Sequence, residues 1–489
     1  MILGYFLFHR RCFLRNSIFV TCAWISSIAG YAQAGQGATD KSPLRKYNVI
    51  ILFADDLGYG DLGSYGHPTI RTPYLDKMAF EGQKWTNFYV GSSVCTPSRA
   101  ALLTGRYPIR SGMTSSVHRV LFPDSKNGMP ASEITLAEQM KRAGYATACV
   151  GKWHLGHKKE FLPTNHGFDY YFGIPYSNDM DNVTVFKNSK EYMDFWKSDA
   201  RMDVNSFNVP LMQNEKIIER PVDQHTITRR YTEESIKFIT EKRDTPFFLY
   251  LAYNLPHVPL FASEKFAGTS ARGSYGDTVE EIDFSVGQLM DALTKTGQDK
   301  NTIVVFTSDN GPWLTMEDEG GSAGLLRDGK GSTWEGGMRE PCIIWSPGNI
   351  KPGIVTGLGT TMDLYTTFST IAGVAIADDR IVDGIDLTSV LFEGKESSRK
   401  DMFYYHDDIL YAVRLGDYKA HFITQGGYKT DKIIHDPPLL YNLSIDPSEQ
   451  YNIANANPAV IAEIQNVVKH HNEKLIKGPD LLKDRESNR

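Results

Sequence analysis

Short polar clusters follow several apolar runs in this chain, and between them they offer acids, cations and a thiol. Asp55-Asp56 and Asp309-Asn310 supply carboxylate and amide oxygens with little nitrogen or sulfur nearby. That donor set suits a hard cation such as calcium or magnesium over zinc. Taken singly, such pairs also serve as helix and turn caps. Lys152, His154, His257 and Lys330 add groups that stabilise charge spread over anionic oxygens. The two histidines leave a zinc site as an alternative, against which the neighbouring Lys152 and Lys330 argue. Cys95 opens the run Cys95-Thr96-Pro97-Ser98-Arg99, which continues through an apolar turn to Thr104-Gly105-Arg106. Pro97 suits a first helical position and Gly105 a helix end. The thiol is therefore expected just before a helix N-terminus, where unpaired N–H groups favour an anion. Arg99 adds a fixed positive charge one turn on. For an isolated cysteine, a buried thiol in a tight turn would be the favoured reading.

Strands have to carry these groups. Val49-Ile50-Ile51-Leu52-Phe53-Ala54 is apolar without alternation, the pattern of a strand buried on both faces. Segments 147–150, 247–252 and 303–307 read the same way. Asp55-Asp56, Lys152 with His154, His257, and Asp309-Asn310 follow these four runs in turn. Between them lie helix-period segments. Thr135 and Glu138 form a capping box for a helix that stops near Gly144. A second helix starts at Asp277 with Val279, Ile282, Val286, Leu289, Met290 and Leu293 on one face. A third apolar face is formed by Val460, Ile461, Ile464, Val467 and Val468. All three read as core-packing elements. Alternating strands and helices predict an α/β sheet, and such sheets bind ligands outside the carboxyl ends of their strands. Four of the polar clusters above sit at such ends.

Composition narrows the function classes. The chain has 489 residues, 41% hydrophobic and 22% charged, enough for one large domain and a smaller one. A net charge of -6 leaves no basic footprint for nucleic acid. Residues 1–34 read as an export signal: Arg10, Arg11 and Arg15 flank an apolar stretch over 18–29, and Ala32-Gln33-Ala34 is a small-x-small cleavage site. An uncleaved N-terminal anchor is the other reading, and no later segment looks transmembrane. Cys12 and Cys22 leave with the signal, so Cys95, Cys149 and Cys342 remain. An odd, widely spaced set without a disulfide framework suits a bacterial periplasm better than an animal lysosome or extracellular space. The chain is expected to be secreted or periplasmic.

The run from Cys95 to Arg106 resembles the signature of the type I sulfatases, whose cysteine is oxidised by a separate enzyme to formylglycine. The resemblance continues through Ala54 to Gly58, Gly151 to Gly156, Pro256-His257, Thr307 to Gly311 and Gly329 to Gly337. Asp417 to Phe422 and Leu440 to Pro447 look like the arylsulfatase and N-acetylgalactosamine-6-sulfatase branch, so nearly the whole mature chain is covered. What it implies is an alkaline-phosphatase-like α/β sandwich: a catalytic domain over 47–400 with a large mixed sheet flanked by helices. A C-terminal subdomain over 401–489 would add a short antiparallel sheet and the last helix.

The resemblance also implies a reaction. Hydrated formylglycine carries two hydroxyls on one carbon; one attacks sulfur and displaces the alcohol, and loss of a proton from the other releases sulfate. A serine would stall as its sulfate ester. Calcium would be held by Asp55, Asp56, Asp309, Asn310 and an oxygen of modified Cys95. Lys152 and Arg99 would hold the formylglycine oxygens, Asp309 would help deprotonate the attacking hydroxyl, and His154 would be the base for elimination. His257 and Lys330 would bind sulfate and protonate the leaving group, with Lys152 and Ser177 as further sulfate contacts. His118, His421 and Lys429 are candidates for the sugar pocket or for its surroundings. The expected substrate is a sulfate ester, on galactose or N-acetylgalactosamine units of a glycan or on an aryl alcohol. A formylglycine-generating enzyme is the expected maturation partner; nucleic acid and stable membrane insertion are not expected. Two rival readings keep the fold: a phosphomonoester or phosphodiester hydrolase, and an inactive sulfated-glycan-binding protein.

Overall fold

The structure is a computed structural model that describes residues 46–427 and 430–486. The export signal and Lys429 lie outside the described residues. Four fully buried apolar runs become the centre of an 11-stranded mixed sheet. They are β1 (Asn48–Ala54), β3 (Ala146–Gly151), β4 (Phe247–Ala252) and β5 (Thr302–Ser308), joined by β2 (Gln83–Tyr89) and β6 (Arg339–Trp345). The spatial order is Gly353–Val355, β2, β6, β5, β1, β4, β3, then three short strands at Tyr170–Gly173, Leu211–Gln213 and Lys216–Glu219, with Gly359–Thr360 also paired to β2. β1 runs parallel to both neighbours, Val49 pairing with Phe248 on one side and Ile303 on the other. β6 is antiparallel to β5 and to β2.

Alternation along β1 builds two cores. Ile50, Leu52 and Ala54 pack with α3 (Ile227–Glu241) and α4 (Ser274–Lys295), through Tyr231, Ile239, Val279, Ile282 and Val286. Val49, Ile51 and Phe53 face the other way, onto α1 (Cys95–Thr104), α2 (Leu136–Arg142) and α5 (Thr361–Ala372) through Leu102, Leu103, Met140, Leu364 and Phe368. Both faces are covered by helices, so β1 needs no polar side. This is the sandwich that the sequence predicts. The capping box is present, with Glu138 N donating to Thr135 Oγ1 at 3.2 Å and Thr135 N to Glu138 Oε2 at 2.6 Å.

Two helix starts differ from the sequence reading. α4 begins at Ser274, three residues before Asp277, because the Asp277 carboxylate is turned back to accept from Gly268, Thr269 and Ser270 N–H groups. α1 includes Cys95 as its first residue, with Val94 as the cap, and Gly105 closes it in the left-handed region. From Asp401 onward the chain holds a second, four-stranded antiparallel sheet: β7 (Asp401–His406), β8 (Ile409–Leu415), β9 (Tyr418–Thr424) and β10 (Ile433–Asn442). Met402, Phe403, Ala412, Val413 and Ala420 of this sheet pack with Ile461 and Ile464 of α6 (Pro458–Lys474) and with Tyr89, Val90 and Ala101. Among the described residues no helix is long and apolar enough to cross a membrane.

Candidate active site

Strand ends deliver the site. β1 stops at Ala54, and the ladder continues only as Asp309 N donating to Ala54 O at 3.1 Å and Asp55 N to Leu255 O at 3.2 Å. Asp56 then takes φ 63, a conformation that aspartate tolerates better than most residues. Its N–H donates to Asp309 Oδ1 at 3.1 Å, which ties the two strand ends together. β3 ends on Gly151, where a Cβ would lie 1.8 Å from Ala252 O. Only glycine lets the β3 end press onto β4 and carry Lys152 inward.

Cys95, the first residue of α1, points its Sγ at Asp55 Oδ1, 3.5 Å away. Arg99, one turn on, donates from Nε and Nη2 to Asp309 Oδ2 at 3.0 and 2.8 Å, and from Nη1 to Lys152 O at 2.9 Å. Lys152 Nζ lies 2.5 Å from Asp55 Oδ2 and 2.9 Å from Ser177 Oγ. Lys330 Nζ donates to Asp56 Oδ2 at 2.7 Å, and Asn310 Nδ2 to Asp56 Oδ1 at 2.8 Å. His257 Nε2 is 3.6 Å from Asp56 Oδ2. His154 lies beside Lys152 in the chain, and its Nε2 is 2.9 Å from Leu121 O. All eleven sequence candidates are thus buried around one centre.

The charges set the chemistry. Burial pushes Asp55 up, but Lys152, His257, Arg99 and Lys330 outweigh it and hold the carboxyl well below its ordinary value. Asp56 is raised by burial, which Lys330 only partly offsets. Asp309 is pushed up to about 7 by burial and the Asp55 charge, against Arg99. Burial drives the Cys95 thiol up more than Lys152 and Lys330 lower it. An un-ionised buried thiol is a weak nucleophile. Burial, then Lys152, holds His154 neutral; burial, then Lys330, does the same for His257. Leu121 O can only accept, so His154 carries its proton on Nε2 and leaves Nδ1 a lone pair with no hydrogen-bond partner among the described residues. By the same argument His257 is protonated on Nδ1, toward Val258 O at 2.6 Å, and turns the Nε2 lone pair inward.

Ligand atoms of Asp55, Asp56, Cys95 and His257 lie within 4.8 Å of one another. Asp55, Asp56 and Cys95 belong to the sequence assignment as well; of its other two members, Asp309 accepts from Arg99 and from Asp56 N, and Asn310 donates to Asp56 from Nδ2. The residues fit a divalent cation on two grounds. Asn310 Oδ1 is a buried acceptor with no donor among the described residues. Three carboxylates are balanced by Arg99, Lys152 and Lys330, so a bound dication leaves net positive charge for an anionic ester.

Of the further pocket candidates, His421 is not at a pocket wall: it is fully buried against Glu449, behind the loop that carries Lys330. His118 is partly exposed against Phe122, 5.8 Å between rings. Sequence reasoning missed the surroundings of Lys330. Lys419, Glu335 and Glu449 meet in a buried cluster 84 and 114 positions apart along the chain, and no local pattern signals such a meeting. Asp417-Tyr418-Lys419 was the nearest hint.

Comparison with known proteins gives the family. The Sulfatase family model matches residues 47–374, and the model for the C-terminal region of aryl-sulfatase matches 397–489. The chain is 41% identical over 449 residues to arylsulfatase A of Homo sapiens, covering 86% of this chain and 87% of that one. It is 40% identical over 474 residues to N-acetylgalactosamine-6-sulfatase of Mus musculus, covering 89% and 88%. The crystal structure of PsFucS1 sulfatase from Pseudoalteromonas sp. superposes with a TM-score of 0.78 at 30% identity, covering 88% and 90%. The relatives bear the names of sulfuric ester hydrolases, and that is the class of this chain. This chain belongs to the sulfatase family.

Proposed function

We propose that the protein hydrolyses sulfate esters of galactose or N-acetylgalactosamine units in glycans, using formylglycine made from Cys95 and a bound calcium ion. The observation that carries this reading is the convergence of Cys95 Sγ, the Asp55 and Asp56 carboxylates and His257 Nε2 within 4.8 Å, ringed by Lys152 and Lys330. A buried thiol held un-ionised there is poorly suited to attack; an aldehyde hydrate at the same position has the hydroxyls that the reaction needs. Calcium would be held by Asp55, Asp56, Asp309, Asn310 and residue 95. When bound it supplies Lewis acidity and excess positive charge.

The protein's own groups do the rest. Lys152 and Lys330 hold sulfate oxygens, and Ser177 fixes Lys152 through its 2.9 Å hydrogen bond. Arg99 keeps Asp309 in place. His154 Nδ1, a lone pair with no competing donor, takes the proton in the elimination. His257 starts neutral, and a sulfate anion beside it favours its protonated form; it then gives that proton to the departing alcohol from Nε2.

The glycan assignment is supported by the 40% identity to N-acetylgalactosamine-6-sulfatase. Export through residues 1–34 and maturation by a formylglycine-generating enzyme complete the reading. Initial rates on galactose and N-acetylgalactosamine sulfates, an aryl sulfate and an aryl phosphate test it. Sulfate release from a sulfated sugar at the highest kcat/KM supports it. Faster phosphate release, or no sulfate release from any sugar, overturns it.

A further inference from the structure

Lys330 reaches the site from a loop whose far end is gripped by the C-terminal part of the chain. Three consecutive loop residues are held by three different groups. Lys419 Nζ donates to Thr333 O at 2.8 Å. The His421 ring lies 4.3 Å from the Trp334 ring. The Glu335 N–H donates to Glu449 Oε2 at 2.7 Å. These groups also bind one another. Lys419 Nζ is 2.9 Å from Glu335 Oε1 and 3.0 Å from Glu449 Oε1, and His421 Nε2 is 2.6 Å from Glu449 Oε1, with every side chain fully buried. The loop's other end is pinned at the site: Lys330 N donates to Pro312 O, and Gly331 N to Ser93 O, each at 2.9 Å. Gly331 itself sits at φ 83, where backbone rotation is least restricted by a side chain. The direction of Lys330 therefore depends on both pins.

Apolar side chains of similar volume would stabilise such a contact at least as well as buried charges do. What an ionic, hydrogen-bonded grip adds is a single register, because each charge has one low-energy position.

We propose that Lys419, Glu449 and His421 are positioning residues for the reaction, holding loop 331–335 so that Lys330 Nζ stays at the Asp56 side of the sulfate pocket. The C-terminal sheet is then part of the catalytic apparatus. This inference rests on the sulfate-binding role given to Lys330 above.

A double-mutant cycle tests it. Lys330→Ala is measured first; full activity in that variant removes Lys330 from the mechanism and the grip proposal with it. With Lys330→Ala impaired, Lys419→Met should lower kcat 10-fold or more in the wild-type background and less than 2-fold in the Lys330→Ala background. Equal losses in the two backgrounds mean a merely structural role and overturn the proposal. Lys419→Met leaves two buried carboxylates facing each other and can fail to fold. The pair Lys419→Met/Glu449→Gln keeps the buried charge balanced and is assayed in the same cycle, with thermal melting as the folding control. His421→Gln, which loses the ring contact with Trp334 but keeps a hydrogen-bonding group, should lower kcat 3-fold or more. Wild-type kcat in folded His421→Gln and in the folded pair overturns the grip while leaving Lys330 in its role.

Discussion

Replacing Lys152 with methionine separates what its charge does for folding from what it does for turnover. Methionine keeps much of the length and apolar volume of the stem but removes the ammonium. Lys152 Nζ is 2.5 Å from Asp55 Oδ2, and neither side chain is exposed. Removing one partner of a buried ion pair costs about 3–5 kcal/mol, because the other charge is left uncompensated. Asp55 still has Arg99 at 3.6 Å, so the lower end, about 3 kcal/mol, is expected here. Turnover should fall further. Deleting one preorganised group that stabilises transition-state charge costs roughly 10²–10³ in kcat, about 2.7–4 kcal/mol. The assay is sulfate release from an aryl sulfate under saturating conditions, alongside denaturant unfolding of the same samples. A folded Lys152→Met variant with kcat within about threefold of wild type would refute the electrostatic reasoning.

Three smaller perturbations sharpen the picture. Ser177→Ala removes one charge-assisted hydrogen bond from the Lys152 ammonium, worth about 1.5–3 kcal/mol, so kcat/KM should drop roughly 10- to 150-fold; a drop below about threefold would mean that Ser177 does not hold Lys152 for the reaction. Calcium at 100 times its Kd should stabilise the wild type by about 2.7 kcal/mol, and Asp56→Asn should largely abolish the shift; a wild-type melting curve that ignores both calcium and chelator contradicts the ion assignment. His166 is fully buried, stacks on Trp153 and is lowered to about 4 by burial. Its neutral form is favoured by folding, so this stability is complete above about pH 6.5 and is lost as pH falls toward 4. His166→Phe should remove up to about 3 kcal/mol of that acid-limb loss; an unchanged slope of stability between pH 6.5 and 4 rules the histidine out as its source.

Much of this is legible in the amino-acid sequence. The run from Val49 to Ala54 is apolar at every position because helices cover both faces of β1, and the sequence shows the same pattern in β3, β4 and β5. The polar groups that follow those runs all arrive at one sheet edge, since parallel strands present their carboxyl ends together. Three things stayed hidden. β2 and β6 carry polar residues such as Gln83, Thr86, Arg339 and Glu340, so they do not read as interior strands. The turned-back carboxylate of Asp277, which leaves α4 to start at Ser274, is a tertiary choice. That His257 brings a ring nitrogen within 4.8 Å of the Asp55, Asp56 and Cys95 ligand atoms is set by tertiary contacts, and spacing along the chain does not encode that.

Mass spectrometry of the tryptic peptide containing Cys95, from active enzyme purified from its natural host, bears on the nucleophile most directly. Conversion of the thiol to the aldehyde should appear as a loss of about 18 Da, with activity scaling with the converted fraction. A fully active preparation in which residue 95 is an unmodified thiol would contradict the account.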